Sequence, residues 1–363
     1  MSYNRTTTPA LVANSTATSG LKTENDRLLN NPPEDSISDL SFSPVADFMA
    51  VASWDKKVRI YQVAQNGDSM GKALYDHNEP VLSARWFLDG SKVVSGGCDN
   101  AVRAFDLQSG QSAQIGQHDS AVSVVRAVNI ESAGAPIVAS GSWDKTLKYW
   151  DLRQQQPVTT IQLPERVYTM DSQKNLLVVG TADRKICIID LSNPGTIFNT
   201  LESPLKFQTR CISCYHDGSG YAVGSIEGRC AIQYVDPGQQ QNLGFSFKCH
   251  REQATAGRTE TKIYSVNSIC FHPVFGTFAT AGSDGTFHIW DKDAKHRLKA
   301  SSNVGGAISS AEFNHTGTIY GYAVSYDWSK GYQFNTPSYP NQVRLHVVQE
   351  DEVKQKNKKV PGR

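Results

Sequence analysis

Six segments of the chain share one order of apolar and polar positions: ASWDKKVRIYQV, GGCDNAVRAFDL, GSWDKTLKYWDL, GTADRKICIIDL, GSIEGRCAIQYV and GSDGTFHIWDK. Small residues come first and an acid sits at a turn. Apolar residues then alternate toward an aromatic, the period of a strand with two unlike faces. The turn acids are Asp55, Asp99, Asp144, Asp183, Glu227 and Asp284. Asp327 in VSYDWSKG adds a seventh, although an insertion separates it from its continuation NQVRLHVV. Successive acids lie 39 to 57 positions apart, the period of a four-stranded propeller blade.

The other half of each unit also recurs. SISDLSFSP, PVLSARWFLDG, AVSVVRAVN, RVYTMDS, RCISCYHDG, SVNSICFHP and AISSAEFNHTG read as short strands, each preceding an apolar run such as KVVSGG or NLLVVG. Short, evenly spaced strands with almost no helical periodicity predict an all-β closed array, here a propeller of seven blades. Blade seven lacks a fourth strand after Val348, where the chain turns charged. DRLLNNPP, ahead of blade one, is the segment that could supply it and remove an open sheet edge. The expected division is a disordered tail over 1–25, the propeller over 26–349 and a charged tail over 350–363. The first of these is rich in Ser, Thr and Asn and poor in large apolar groups. The last reads as a short frayed helix or a solvated basic end.

With 363 residues and a net charge of +1, no global field recruits nucleic acid, so an electrostatic site has to be a local patch. Seven scattered cysteines and the lack of an apolar signal core fit a reducing cytosolic or nuclear compartment. That setting makes the sequons at Asn4, Asn14 and Asn314 irrelevant. No apolar run approaches the roughly 20 residues of a membrane span.

Candidate chemistry is mostly structural. His118, Ser140, Asp144 and Trp150 fit a buried tetrad in which every polar group has a partner. His77 with Asp99, and His250 with Asp284 and Trp290, are partial copies. Cys211 and Cys214 have the Cys-x-x-Cys spacing but lie on one strand, pointing to opposite faces, with no second pair. A propeller enzyme would need converging groups on the innermost strands. Those strands offer Asp39, Arg85, Arg126, Asp171 and Glu312, without a common spacing. No catalytic residue, metal, cofactor or small-molecule substrate is expected.

Surfaces remain. Trp54 and Trp143 stand beside turn acids at the rim of one face, where each either caps its own blade or anchors a partner. Arg229 shares that rim and suits a carboxylate. Elsewhere, IWDKDAKHRLK places Lys292, Lys295, Arg297 and Lys299 on the turn and outer strand of blade six. Edge strands often carry cations against sheet pairing. Yet the outer strands KALYD, AQIGQ and TTIQL have one lysine and one aspartate between them. Cations beside an exposed aromatic suit a nucleic-acid backbone with a stacked base.

The strings GSWDKTLKYWD, QLPERVY, SPLKFQTRC, GSIEGR, FSFKCHR, FHPVFGTFATAGSDGTFHIWDKDAKHRLK and SYDWSKG together resemble the WD-repeat mRNA-export factor of the nuclear pore, the Rae/Gle family. The resemblance runs from about Pro33 to Val348. It implies a propeller docked, through a glutamate-containing GLEBS segment, on a nucleoporin with phenylalanine-glycine repeats. Trp54, Trp143 and Arg229 match the peptide-binding positions. Phe247, Trp290, Lys292, Lys295, Arg297 and Lys299 match an edge that binds single-stranded RNA such as mRNA. The implied location is the nucleus, at the nuclear pore complex, with shuttling to the cytoplasm open. The alternative is a peptide-binding scaffold without RNA, of the Bub-type mitotic-checkpoint kind, which shares SIEGR and FKCHR, or of the ubiquitin-ligase kind.

Overall fold

The apolar runs become second strands such as Leu176–Thr181, Gly220–Ser225 and Ile319–Val324, in which every residue is buried. Flanked on both edges and covered on both faces, such strands need no polar alternation. The computed structural model describes residues 20–252 and 260–355 of the chain. Among these, seven antiparallel four-stranded sheets form, and in six the strand order follows the chain. The inner strands Ile37–Phe42, Val81–Trp86, Val122–Asn129, Val167–Gln173, Thr209–Cys214, Val266–Phe271 and Ile308–Phe313 neighbour one another in that order, and the last returns to the first. The expected all-β seven-bladed propeller is therefore the observed fold.

The core is divided in the same way. Seven apolar clusters lie one between each pair of neighbouring blades. Second strands end in small residues because the next blade presses there. A Cβ on Gly96 would stand 2.4 Å from a Val122 methyl, and one on Gly141 2.6 Å from a Val167 methyl. The turn acids stand in turns whose next residue has a left-handed backbone. Lys56, Asn100, Lys145 and Arg184 have φ of 64–69°, and Gly228 and Gly285 replace them in blades five and six. In antiparallel sheets, these turns and the blade-to-blade connections fall on one face, here termed the upper face. The remaining turns form the lower face.

Blade seven is assembled from both ends of the described chain. Arg27–Leu28 pairs with Gln342–Val347 as its outer strand, Arg27 opposite Leu345. Order begins earlier than residue 26. The Leu21 amide donates to the Ala300 carbonyl at 2.9 Å, and Leu21 and Thr23 are buried. The expected disordered tail is thus corrected for residues 20–25, because Leu21 fills the cluster between blades six and seven. Residues 1–19 lie outside the described part. Val353, from helix Glu350–Val353, fills the same cluster. The wide spacing before Asp284 accommodates a second helix, Pro237–Leu243, capped by Asp236, and a ribbon pairing Arg251–Glu252 with Lys262–Ile263.

His346 joins these end segments. Its Nδ1 lies 2.7 Å from Asp26 and its Nε2 3.0 Å from Glu352, and carboxylates only accept, so both ring nitrogens must carry protons. Burial opposes the charge, but the Asp26 and Glu352 bonds outweigh it and raise the pKa from 6.5 to about 9. A raised folded-state pKa stabilises fully below the unfolded value and loses its effect as pH climbs through the folded one. The advantage of wild type over His346→Gln should then be on the order of 3 kcal/mol near pH 6 and vanish above pH 9. Melting curves of both proteins across that window test this; a difference independent of pH would refute the charged clasp.

Candidate peptide and nucleic-acid interfaces

Arg229 opens the third strand of blade five, Arg229–Tyr234, straight after the upper-face turn. Its Nε lies 3.8 Å from Glu227, a loose pair that leaves the guanidinium partly exposed. Beside it stands Arg251, whose guanidinium donates to the Glu227 carbonyl at 2.6 Å and the Gly228 carbonyl at 3.2 Å. Burial, then the neighbouring Arg229 charge, pull Arg251 below the ordinary arginine value. Two neighbouring guanidiniums, one only loosely paired with Glu227 and the other held by backbone carbonyls, form a place where an added carboxylate is favoured electrostatically. Arg251 was not singled out from sequence, although it ends FSFKCHR. Its partner Arg229 lies 22 positions away, and the pairing of Arg229 with Lys248 across blade five brings the two together.

The rim tryptophans differ from each other. Trp143 is 41% exposed. Trp54 is half-buried and stacks on Trp328, centroids 3.9 Å apart and planes 26° apart. It thus caps the mouth of the central channel. Trp54, Trp143, Tyr168, Arg210 and Trp328 all line this mouth. Tyr326, which flanks Asp327, is buried, with its hydroxyl on the Gly331 carbonyl. Loops and turns of this face also expose Phe207, Ile226, Ile263, Tyr332 and Phe334. The cation pair therefore sits within a broadly apolar rim.

On blade six, HRLK lies in the outer strand, His296–Ala300, as expected. Its cations are not equivalent. Lys292 pairs with Asp293 at 2.7 Å and lies 5.4 Å from the Tyr215 ring centre. Lys299 pairs with Asp351 of the helix Glu350–Val353 at 3.0 Å. Among the described residues Lys295 and Arg297 have no carboxylate partner, and Arg297 is exposed. The aromatic expectation needs correction. Phe247 is 6% exposed and packs on Trp290, centroids 4.6 Å apart. Alternation along Phe245–Lys248 turns it inward, and no face is left for a base. Phe245, two residues earlier, is the half-buried ring under Lys295, at 5.0 Å. Trp290 is half-buried, its indole N–H donating to Thr280 at 2.9 Å.

That bond belongs to a tetrad. In blade three, His118 bonds Asp144 at 2.8 Å and Ser140 at 2.7 Å, and the Trp150 indole donates to Ser140 at 2.7 Å. One neutral tautomer satisfies every group: Nδ1–H to Asp144, and the Ser140 hydroxyl to Nε2. Burial lowers the His118 pKa more than Asp144 raises it, which fits that tautomer. Blade six repeats the set with Thr280 in place of serine. In blade two the Tyr75 hydroxyl takes the indole's place on Ser95, beside His77 and Asp99.

The inner-strand charges line the channel, of about 820 Å³, and link neighbouring blades. Arg85 donates to Asp39 at 2.9 Å and Arg126 to Asp171 at 2.9 Å. Asp171 also accepts from the Cys214 amide at 2.7 Å, and Glu312 from the Phe42 amide at 2.8 Å. Cys211 and Cys214 belong to clusters on opposite sides of blade five, and burial pushes the Cys211 thiol up to about 12. No group of residues among those described could hold a metal ion.

A sequence profile described as "WD domain, G-beta repeat" matches residues 27–62, 69–106, 111–151 and 258–291. Those segments end in blades one, two, three and six. Blades two, three and six close their third strands with an aromatic followed by aspartate, Phe105-Asp106, Trp150-Asp151 and Trp290-Asp291, whereas blades one, four, five and seven do not. The chain is 57% identical to the "Poly(A)+ RNA export protein" of Schizosaccharomyces pombe, across 95% of this chain and 96% of that one. It is 55% identical to the "mRNA export factor GLE2" of Chaetomium thermophilum, across 94% and 95%. "Protein Rae1" of Drosophila melanogaster is 45% identical, across 91% and 96%. Likeness of this degree, over nearly the full length of each partner, means that the chain belongs to the WD40-repeat family of mRNA export factors.

Proposed function

We propose that this chain is a non-enzymatic adaptor of mRNA export in the nucleus, working at the nuclear pore complex and shuttling to the cytoplasm. In this reading the propeller, 26–349, is the working domain and its upper face captures the GLEBS peptide of a phenylalanine-glycine nucleoporin. Arg229 meets the glutamates, with Arg251 beside it, and Trp54 and Trp143 contribute apolar surface. The blade-six edge holds single-stranded RNA through Lys292, Lys295, Arg297 and Lys299, with Trp290 supported from beneath by Phe247. The observation that carries this reading is the separation of two unlike surfaces: an arginine pair in an apolar rim, and a cation-bearing outer strand. The names of the relatives support the export role. No helix among the described residues is long and apolar enough to cross a membrane, and neither surface calls for a lipid or a small-molecule substrate.

A second reading, a checkpoint- or ubiquitin-ligase-type scaffold without RNA, draws support from the carboxylates on Lys292 and Lys299. Salt separates the two. Binding of a fluorescent oligouridine should weaken steeply with salt, and Lys295→Ala with Arg297→Ala should lower the log–log slope by about 0.7 per cation. Unchanged affinity and slope in that double variant would favour the scaffold.

A further inference from the structure

On the upper face, the insertion that follows Asp327 meets the connection from blade seven into blade one. Asn341 ties the two segments together. Its amide donates to the Pro33 carbonyl at 2.7 Å and the Asp35 carbonyl at 2.8 Å, and its oxygen accepts from the Ser325 hydroxyl at 2.8 Å. Asn335 adds a bond to the Asp35 carboxylate at 3.1 Å. A cavity of about 260 Å³ lies where they meet, lined by Glu34 and Asp35 together with Tyr326, Pro337, Tyr339 and Pro340. The tyrosine rings pack edge to face, centroids 5.3 Å apart, and the Tyr339 hydroxyl accepts from the Ala307 amide at 2.8 Å. The cavity is therefore built before any ligand arrives.

Its carboxylates lack cations. Asp35 accepts through Oδ1 from the Ser36 amide at 2.6 Å and from Asn335, and among the described residues its Oδ2 has no donor. Glu34 is exposed, and only its amide is engaged, on Asp55, which is itself paired with Arg59. A lysine or arginine suits such a place: its stem lies on the tyrosine and proline surfaces while its head reaches the carboxylates. Tyr332 and Phe334, 76% and 52% exposed, add apolar surface on the same insertion. Arg229 and Arg251 belong to blade five, three places round the ring from blade one. The upper face thus carries charge of opposite sign on nearly opposite sides.

We propose that the cavity between blades seven and one takes a lysine or arginine side chain of the captured peptide, with Glu34 and Asp35 meeting its charge. The peptide then lies in one direction only, its acidic part over blade five and a basic residue over blade one. Laid the other way, it would meet like charge at both ends, and such a clash selects against the wrong arrangement. This inference rests on the peptide reading above and can fail separately from it.

The test is calorimetry at low salt with two probes: a GLEBS peptide, and a copy in which every lysine and arginine is changed to glutamine. The proteins are wild type, Glu34→Gln/Asp35→Asn, Glu34→Lys and Arg229→Glu. Asparagine at 35 keeps an acceptor for Ser36 and Asn335, and melting curves check that each variant folds. The double variant is expected to hold the native peptide about tenfold more weakly than wild type does, and Glu34→Lys more weakly still. Wild type should lose about as much with the neutral copy, and on that copy the double variant should cost nothing further. If the cavity variants bind the native peptide as wild type does while Arg229→Glu abolishes capture, the cavity takes no part and the peptide reading stands without it. Equal losses on both peptides would show that the carboxylates serve the fold, which overturns the proposal. Should spermine bind wild type but not the double variant, with both peptides held alike, the cavity is a site for small polycations and the proposal is likewise wrong. No binding of either peptide to wild type removes both readings.

Discussion

Asp144→Ala should destabilise the propeller by about 3 kcal/mol, a large fraction of a typical domain's margin. The carboxylate accepts from His118 Nδ1 at 2.8 Å, the Asp119 amide at 3.0 Å, the Thr146 amide at 2.9 Å and the Thr146 hydroxyl at 2.6 Å. Alanine leaves four donors short of a partner, and the imidazole among them is fully enclosed. Blade four supplies an internal control. Asp183 has no histidine and accepts from the Thr181 hydroxyl at 2.6 Å and the Lys185 amide at 3.3 Å. Asp183→Ala should cost about 1 kcal/mol. Denaturant unfolding of the two variants checks the ranking. Equal losses would show that the tetrad adds nothing beyond an ordinary turn.

The second large effect is on partner capture. Arg229→Glu places a carboxylate beside Glu227 and Arg251, so a glutamate-bearing peptide meets repulsion where it had met two cations. Truncating one member of a close charge pair at an interface typically costs about 2–5 kcal/mol, and reversal costs more. Binding of a GLEBS peptide should fall below detection in calorimetry while the melting temperature stays near wild type. Among the described residues, the only charged partner of the partly exposed Arg229 side chain is Glu227, at 3.8 Å. Arg251→Ala is expected to weaken capture and also loosen the turn, because Arg251 holds the carbonyls of Glu227 and Gly228. Normal binding by Arg229→Glu would place the docking surface elsewhere.

Much of the architecture was legible because it is repetitive and local. An acid in a tight turn, small residues before it and alternation after it are all set within a dozen positions. Each recurrence reinforces the others. Asp284 with His250, and Asp99 with His77, were found this way without any knowledge of which third group would complete the set. Thr280 and Tyr75 supply it, and neither matches the serine or tryptophan pattern.

What escaped notice depends on partners distant in sequence or on the side of a strand. Phe247 and Phe245 are interchangeable by composition and share one face of their strand; Phe247, opposite Cys230, is buried in the cluster that Phe245, at the strand's start opposite Ile232, only borders. Lys299 looked like a cation available to phosphate until Asp351, 52 positions away, came to rest on it. Leu21 is a single apolar residue in a polar stretch, too slight a signal to mark an anchor. Its burial depends on a gap between blades six and seven that Val353 also fills. Arg251 was invisible as a site residue for the same reason, since the ribbon that presents it has only two residues in each strand.

The pairing of Arg27–Leu28 with Gln342–Val347 has a consequence for how the protein is made. Asp26 and His346, which meet beside that pairing, are 320 positions apart. At a ribosomal pace of about 5–20 residues per second, the early strand waits roughly half a minute for its mate. Throughout that interval, six nascent sheets form an unfinished arc with bare ends, exposed to mispairing with other chains. Ring closure is therefore among the last steps of folding, because the outer strand of blade seven meets its partner only once Gln342–Val347 has been made.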